Sequence, residues 1–359
     1  MKKIIAIMVV FALLTTAAFA IDVRGQVVTG VTVIAGDLEE DSDMFAGASI
    51  NRLRITASGE TEDGKFGGWA RVDYFEGFSG YTWWQPIDEF KLIIGSNGGD
   101  CFFYKDGVTT WGFHEHANNT GVAIEKWAFW GTRAYGNLGP FFGGFGTNGV
   151  MMEIKPIDGL DVNLIIPFDY EGHAGNFYRG TIAQFDYTYD THNFALTYEG
   201  NYTDRTNGTL YVYYGFETEE GFGIDVGLAY ELENENNKGA NDPIMFGIGF
   251  SNMFSDDFGL KARALGAIKT FDIPIVGEVT ITNIIVDVLP SYVINSNITA
   301  FIGLGCEVGL SSAEGSEATF DWTFNPYISV GGNFFAGIQV FSDGDVINWS
   351  VPIGLNIRF

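Results

Sequence analysis

The last thirteen residues carry the clearest pattern in the chain. From Ile347 every second residue is apolar (Ile347, Trp349, Val351, Ile353, Leu355, Ile357, Phe359), and between them stand Asn348, Ser350, Pro352, Gly354, Asn356 and Arg358. A period of two predicts a β-strand with one greasy face and one polar or small face. The pattern recurs over 223–233, where Ile224, Val226, Leu228, Tyr230 and Leu232 alternate with Asp225, Gly227, Ala229 and Glu231. Over 298–310 the apolar set is Ile298, Ala300, Ile302, Leu304, Cys306, Val308 and Leu310, and over 318–330 it is Phe320, Trp322, Phe324, Ile328 and Val330. Near the start, Leu53 and Ile55 alternate with Arg52 and Arg54.

Short and long connections alternate between these strands. Asp190-Thr191-His192, Glu219-Glu220-Gly221, Asp256-Asp257, Asn295-Ser296-Asn297 and Gly331-Gly332-Asn333 are good turn formers. Pro86-Ile87-Asp88-Glu89-Phe90 and Pro156-Ile157-Asp158-Gly159-Leu160 share a turn chemistry that launches a strand. Longer polar links cover 37–43, 97–120, 169–179, 233–242 and 311–317. Strands joined this way predict an all-β, antiparallel, up-and-down barrel of about 18 strands (range about 16–20), the parity being even because both ends lie on one side. The region 141–152 reads as a hairpin or as part of a loop.

Trp349 and Phe359 bracket the final strand ten residues apart. That is about 33 Å of strand and, at a tilt near 40°, about 25 Å along a membrane normal, the height of the apolar band between two aromatic girdles. A soluble sandwich would alternate too, since one face of each sheet is buried. The girdle spacing, the terminal Phe359 and the number of alternating segments favour the transmembrane barrel.

Composition supports many short apolar segments. The chain is 46% hydrophobic and 16% aromatic but only 18% charged, with 48 glycines, yet after Ala20 no uninterrupted apolar stretch approaches the roughly 18 residues of a transmembrane helix. Lys2 and Lys3, the apolar run from Ile4 to Leu14 and the small-residue site Ala18-Phe19-Ala20 read as a secretory signal peptide, 1–20, with cleavage after Ala20. The remainder, 21–359, reads as one domain. Cys101 and Cys306 are too few and too distant to frame the fold with disulfides.

The signal peptide, the hairpin pattern and the strand ending at Phe359 resemble Gram-negative outer-membrane proteins of the general porin type. The resemblance implies that Phe359, with Trp349, Ile353, Leu355 and Ile357 before it, is the signal read by the barrel-assembly machinery. It also implies that short turns face the periplasm and long links the outside, that a long early link folds into the lumen, and that the assembly is compatible with a homotrimer in outer-membrane lipid.

The face opposite the apolar one would line the lumen and tolerate water and charge. Its candidates are Arg52, Arg54, Arg71, Asp73, Asp225, Glu231, Lys261, Arg263 and Arg358, with Arg52 beside Arg54 and Lys261 beside Arg263 on single faces. Rings of charge select ions and orient polar solutes; the plainer reading is that they pair with acidic neighbours. The link 97–120 offers Phe102, Phe103, Tyr104, Trp111, His114 and His116 as constriction candidates. His114-Glu115-His116 lacks the further ligands of a metal centre, and the acidic stretch from Asp37 to Asp43 lacks the ordered spacing of a calcium loop. Neither metal nor cofactor is expected.

Net charge bears on the partner. Loss of Lys2 and Lys3 takes the formal charge from −26 to −28, which disfavours nucleic acid and favours cations at the mouth. No Gly-x-Ser-x-Gly elbow or phosphate loop is present, and 4 histidines are scattered, so no enzyme is expected. The reading is a passive diffusion channel for small hydrophilic solutes, weakly cation-preferring. Its alternatives are a plugged surface-structural or adhesive barrel and a secreted sugar-binding β-sandwich.

Overall fold

The computed structural model describes residues 20–38, 45–73, 77–96, 148–167, 181–200, 208–232, 244–273, 277–343 and 345–359. The strands are β1 (Ala20–Asp37), β2 (Phe45–Glu60), β3 (Phe66–Asp73), β4 (Gly77–Ile87), β5 (Phe90–Ser96), β6 (Asn148–Ile157), β7 (Leu160–Pro167), β8 (Ile182–Tyr189) and β9 (His192–Glu199). They continue as β10 (Thr209–Glu217), β11 (Gly223–Glu231), β12 (Ile244–Met253), β13 (Phe258–Ile273), β14 (Gly277–Asn295), β15 (Ile298–Ser311), β16 (Thr319–Val330), β17 (Phe334–Gly337), β18 (Gln339–Asp343) and β19 (Val346–Arg358).

Each strand pairs antiparallel with its neighbours in sequence, and β1 also pairs with β19 from Gln26↔Arg358 to Asp37↔Asn348, so the sheet closes on itself. β17 and β18 are one strand interrupted at Ile338. The register against β16 is the same on both sides of the break, Tyr327↔Gly337 and Thr323↔Phe341. Opposite the break stands Pro326, whose carbonyl accepts from the Ile338 N–H at 2.9 Å but which has no N–H to return. The barrel therefore has 18 strands, an even number, as the sequence pattern requires. Closure into one sheet removes the sandwich alternative, which needs two stacked sheets.

All eight connections on the rim that holds Phe359 are short: 61–65, 88–89, 158–159, 190–191, 218–222, 254–257, 296–297 and 331–333. The turns read from sequence at 190–192, 219–221, 256–257, 295–297 and 331–333 all fall on this rim, as do both Pro-Ile-Asp turns. The long links all leave from the opposite rim. Of the region 141–152, the part from Asn148 on belongs to β6, where Asn148 pairs with Ser96; 141–147 lie outside the described residues.

Local chemistry fixes the turns. Gly159 sits at φ +78 with the Thr188 carbonyl where a Cβ would project. Gly159→Ala is expected to cost about 1–2 kcal/mol from the left-handed conformation alone, measurable as a lowered urea midpoint of the folded barrel. In the 61–65 turn the Asp63 carboxylate accepts from the Thr61 hydroxyl at 2.6 Å and the Lys65 N–H at 3.1 Å. These bonds hold its pKa below the ordinary carboxylate range, the Thr61 hydroxyl contributing most. A lowered folded-state pKa stabilises the turn above the unfolded value and loses that effect as pH falls.

The outer face is apolar around the barrel. Val226, Leu228, Phe246, Ile248, Ile284, Val286, Ile302, Leu304, Phe324, Ile328, Leu355 and Ile357 are all exposed. Soluble monomers rarely show a continuous apolar patch beyond a few hundred Å²; this one wraps the body. Near the short-turn rim the outward rings touch in series, His192 to Phe216 at 5.0 Å, Phe216 to Phe222 at 6.1 Å and Phe222 to Phe250 at 5.8 Å. His192 Nδ1 and the Tyr214 hydroxyl share a hydrogen bond of 2.9 Å within the belt. Rings with an apolar body and a polar edge suit the boundary between hydrocarbon and water. A Gly25 Cβ would meet the ring of Phe359, and a Gly266 Cβ the ring of Phe246; aromatic rings cover outward glycines of the next strand.

Candidate functional site: the inner wall

The inward faces divide into three sectors. On β1 to β4 the wall is charged and aromatic. Arg54 Nε donates to Asp73 Oδ2 at 2.9 Å, Asp73 being nearly inaccessible. Arg71, 2% exposed, lies with its guanidinium 5.5 Å from the centre of Trp69, which stacks on Tyr81 at 5.3 Å. The Lys91 ammonium on β5 sits 5.0 Å over Trp83. Cations packed on ring faces and held by carboxylates are fixed in position.

From β5 to β14 the inner wall turns apolar. Ile93, Met151, Ile165, Ile182, Ala195, Tyr211, Tyr213, Ala229, Leu265, Ala267 and Ile285 are buried together, with Tyr81, Trp83 and Met245 against them. Apolar side chains therefore share the inner face with the charged candidates read from sequence. Polar groups stand among them: Gln184 Nε2 donates to Thr197 Oγ1 at 2.9 Å, and Asn193 Nδ2 to Asp186 Oδ1 at 2.9 Å.

One inward row crosses this sector. Gly215 faces Asp225, Asp225 faces Gly249, Gly249 faces Arg263, Arg263 faces Asp287 and Asp287 faces Gly305. At Gly215 the place a Cβ would take is filled by the Tyr213 hydroxyl end. Arg263 Nε and Nη2 both reach Asp287 Oδ2, at 2.7 and 2.6 Å, and neither side chain is solvent-accessible. The third sector, on β16, β18, β19 and β1, carries polar groups and aromatic rings, among them Asn325, Gln339, Ser350, Thr32, Tyr327 and Phe341, all buried, with Asp321 on β16 and Asp37 opposite Asn348 at its ends.

The candidates read from sequence distribute as follows. Arg54, Arg71, Asp73, Asp225 and Arg263 lie on the inner wall and are mostly buried. Lys261 shares the inward face of Arg263 but is exposed toward the short-turn rim, where Arg358 is exposed too. The backbones of Arg52 and Glu231 face Val28 and Thr209; their side chains lie outside the described residues, as do Phe102, Phe103, Tyr104, Trp111, His114 and His116. The basic pair Lys261 and Arg263 is not a unit, because Asp287 from the next strand takes Arg263. Trp349, Ile353, Leu355 and Ile357 occupy the outward face of β19, and Phe359 follows its last residue. Cys306 is a free thiol on the outward face of β15, and Cys101 lies outside the described residues. Among the described residues no cluster of His, Cys, Asp or Glu is arranged to hold a metal ion.

Asp287, Gln184 and the inward aromatics were not singled out by the sequence. Asp287 was the most accessible of these, since a lone carboxylate in the apolar run 284–289 needs a cation opposite it.

No protein-family model and no curated protein matches the sequence. Solved structures do. OmpT, an outer membrane protein of Vibrio cholerae, aligns over 95% of this chain and 98% of its own with a TM-score of 0.50 at 9% identity. A porin mutant of Rh. blastica covers 94% and 100% at TM-score 0.45 and 13% identity, and a further porin covers 94% and 100% at 0.47 and 10%. By fold, the chain is an all-β, closed, antiparallel up-and-down barrel, similar over nearly its whole length to that outer membrane protein of Vibrio cholerae.

Proposed function

We propose that the chain is a bacterial outer-membrane channel for passive diffusion of small hydrophilic solutes, with a weak preference for cations. The observation that carries this reading is the opposition of faces on single strands. On β11 the outward Val226, Leu228 and Tyr230 are exposed while the inward Asp225 is buried, so one medium is hydrocarbon and the other receives charge. Export by the signal peptide 1–20, insertion by the barrel-assembly machinery through the Phe359 strand and a homotrimeric state belong to the same proposal, as does the absence of catalytic chemistry.

The link 97–120 is proposed to narrow the lumen. Its support is the wall at its base: Ile93 and Met151, close to where β5 ends and β6 begins, face inward and are at most 3% exposed. Such a wall suits Phe102, Phe103, Tyr104 and Trp111 better than water.

A second reading, a plugged structural or adhesive barrel, draws on the low accessibility of inward side chains around the wall, from Thr197 at 0% to Gln339 at 0%. Planar-bilayer recording of the purified protein separates the two. Discrete conductance steps are expected; a folded, heat-modifiable barrel that stays silent supports the plugged reading. Under a salt gradient the reversal potential is expected to show cation preference at neutral pH, following the formal charge of −26 for residues 1–359, or −28 once Lys2 and Lys3 are lost. Clear anion selectivity would contradict it.

A further inference from the structure

Three prolines interrupt the ladder near one level of the wall. Of the 9 prolines in the chain, Pro290 on β14, Pro326 on β16 and Pro352 on β19 stand well inside their strands, where a missing N–H leaves the facing carbonyl without a donor. Pairing of β14 with β15 lapses between Val288↔Leu304 and Ser291↔Phe301, where Pro290 stands opposite Ile302; on its other side Ile302 faces Pro326. The other two prolines flank a single dipeptide. The Ile338 N–H donates to the Pro326 carbonyl at 2.9 Å, so Ile338 turns its backbone polar groups to β16 and Gly337, one residue earlier, turns its own to β19. Pro326 has no N–H to return to the Ile338 carbonyl. Pro352, which the register sets opposite Gly337, has none for the Gly337 carbonyl.

The break divides a firm pairing from a loose one. Toward the short-turn rim β16 and β17 pair without interruption from Tyr327↔Gly337 to Val330↔Phe334, and they approach so closely that a Cβ on Gly337 would meet the Pro326 carbonyl and Tyr327. Toward the long-link rim the backbone pairing of β16 with β18 is confined to Thr323↔Phe341 and Phe324↔Val340. Next to them the Ser342 hydroxyl, not a backbone carbonyl, accepts from the Trp322 N–H at 2.7 Å, and it reaches Asp321 Oδ1 at 3.4 Å. On its other side β18 is zipped to β19 from Gln339↔Ser350 to Asp343↔Val346, and β19 to β1 along its length. Ile338 is 50% exposed on the outer face, where hydrocarbon offers no donor in place of the lost ones. Parting β18 from β16 therefore gives up few ladder bonds and lets water from the lumen serve the carbonyls that the closed wall leaves without donors.

We propose that the line between β16 and β18 is where the barrel wall opens. The two strands splay as a fork whose base is Gly337-Ile338, from the long-link rim down to Pro326, while β18 stays on β19 and β17 stays on β16. The inference needs the barrel to lie in a bilayer but not to conduct.

Hydrogen exchange of the full mature chain in lipid vesicles, read by peptide, tests it. Segments 320–325 and 339–343 are expected to exchange about tenfold faster than 211–216 and 224–229 on β10 and β11, the effect of one or two missing hydrogen bonds; the β10–β11 ladder is unbroken from Thr209↔Glu231 to Glu217↔Gly223. A second readout compares Gln339→Cys with Ala229→Cys, two inward positions that are both 0% exposed, in a background with Cys101→Ser and Cys306→Ser. A membrane-impermeant maleimide is expected to label position 339 about tenfold faster than position 229. Both differences are expected to vanish in Pro326→Val with Pro352→Val, which returns the two N–H donors. If that variant does not fold, the comparison of sectors in the native chain decides alone. Equal exchange in the two sectors overturns the proposal, as do equal labelling of the two cysteines and differences that persist in the folded double variant.

Discussion

Truncating Asp287 to alanine is expected to destabilise the barrel by about 3–5 kcal/mol, because it strands the Arg263 guanidinium in a buried place. Both side chains are fully inaccessible and the contact is carried by one oxygen, Oδ2, while Oδ1 makes no hydrogen bond. That geometry leaves part of the carboxylate's desolvation unrepaid, so the pair itself adds little net stability. The double variant Arg263→Met with Asp287→Leu is therefore expected to recover most of the loss. Urea unfolding in lipid vesicles, followed by the gel shift of the folded form, measures the cycle. A single-variant cost below about 1 kcal/mol, the range of an exposed pair, would show that water reaches the site.

The second large effect belongs to the terminal residue. Phe359→Ser is expected to abolish most insertion in cells while leaving refolding into detergent nearly intact. Phe359 closes the seam: its N–H donates to the Gly25 carbonyl at 2.9 Å, its carbonyl accepts from the Gly25 N–H, and its ring lies over Gly25. A serine keeps both backbone bonds and loses only the ring, so the folded barrel tolerates it. The proposed reading of the terminal ring by the assembly machinery does not. Equal losses in cells and in detergent would assign Phe359 a purely structural part.

Strands were legible where one face meets hydrocarbon and the other carries small or polar groups. On β19, Ser350, Gly354 and Asn356 alternate with Val351, Ile353 and Leu355, and on β15 Gly303 and Gly305 alternate with Ile302 and Leu304. The alternation fails where the wall is apolar on both sides. Ile165 faces inward between Leu164 and Ile166, and Ile285 between Ile284 and Val286, so sequence shows only an unbroken apolar run. Pairing was illegible for a different reason. Arg263 meets Asp287 24 residues away and Gln26 meets Asn356 330 residues away, distances that only the register and the closure of the sheet bring together. The polar patch around Gln339 spans that closing seam and left no local mark.

Spin-label scanning along β11 tests most directly whether lipid solvates the outside. Single cysteines at 224–230, in a background with Cys101→Ser and Cys306→Ser, are labelled in the vesicle-reconstituted protein, and collision rates with oxygen and with a water-soluble nickel chelate are compared. The apolar gas is expected to reach labels at Ile224, Val226, Leu228 and Tyr230 preferentially, with low values at Asp225, Gly227 and Ala229. Oxygen access without a two-residue period, or nickel access at Val226 and Leu228 equal to that of a free label, would contradict the account.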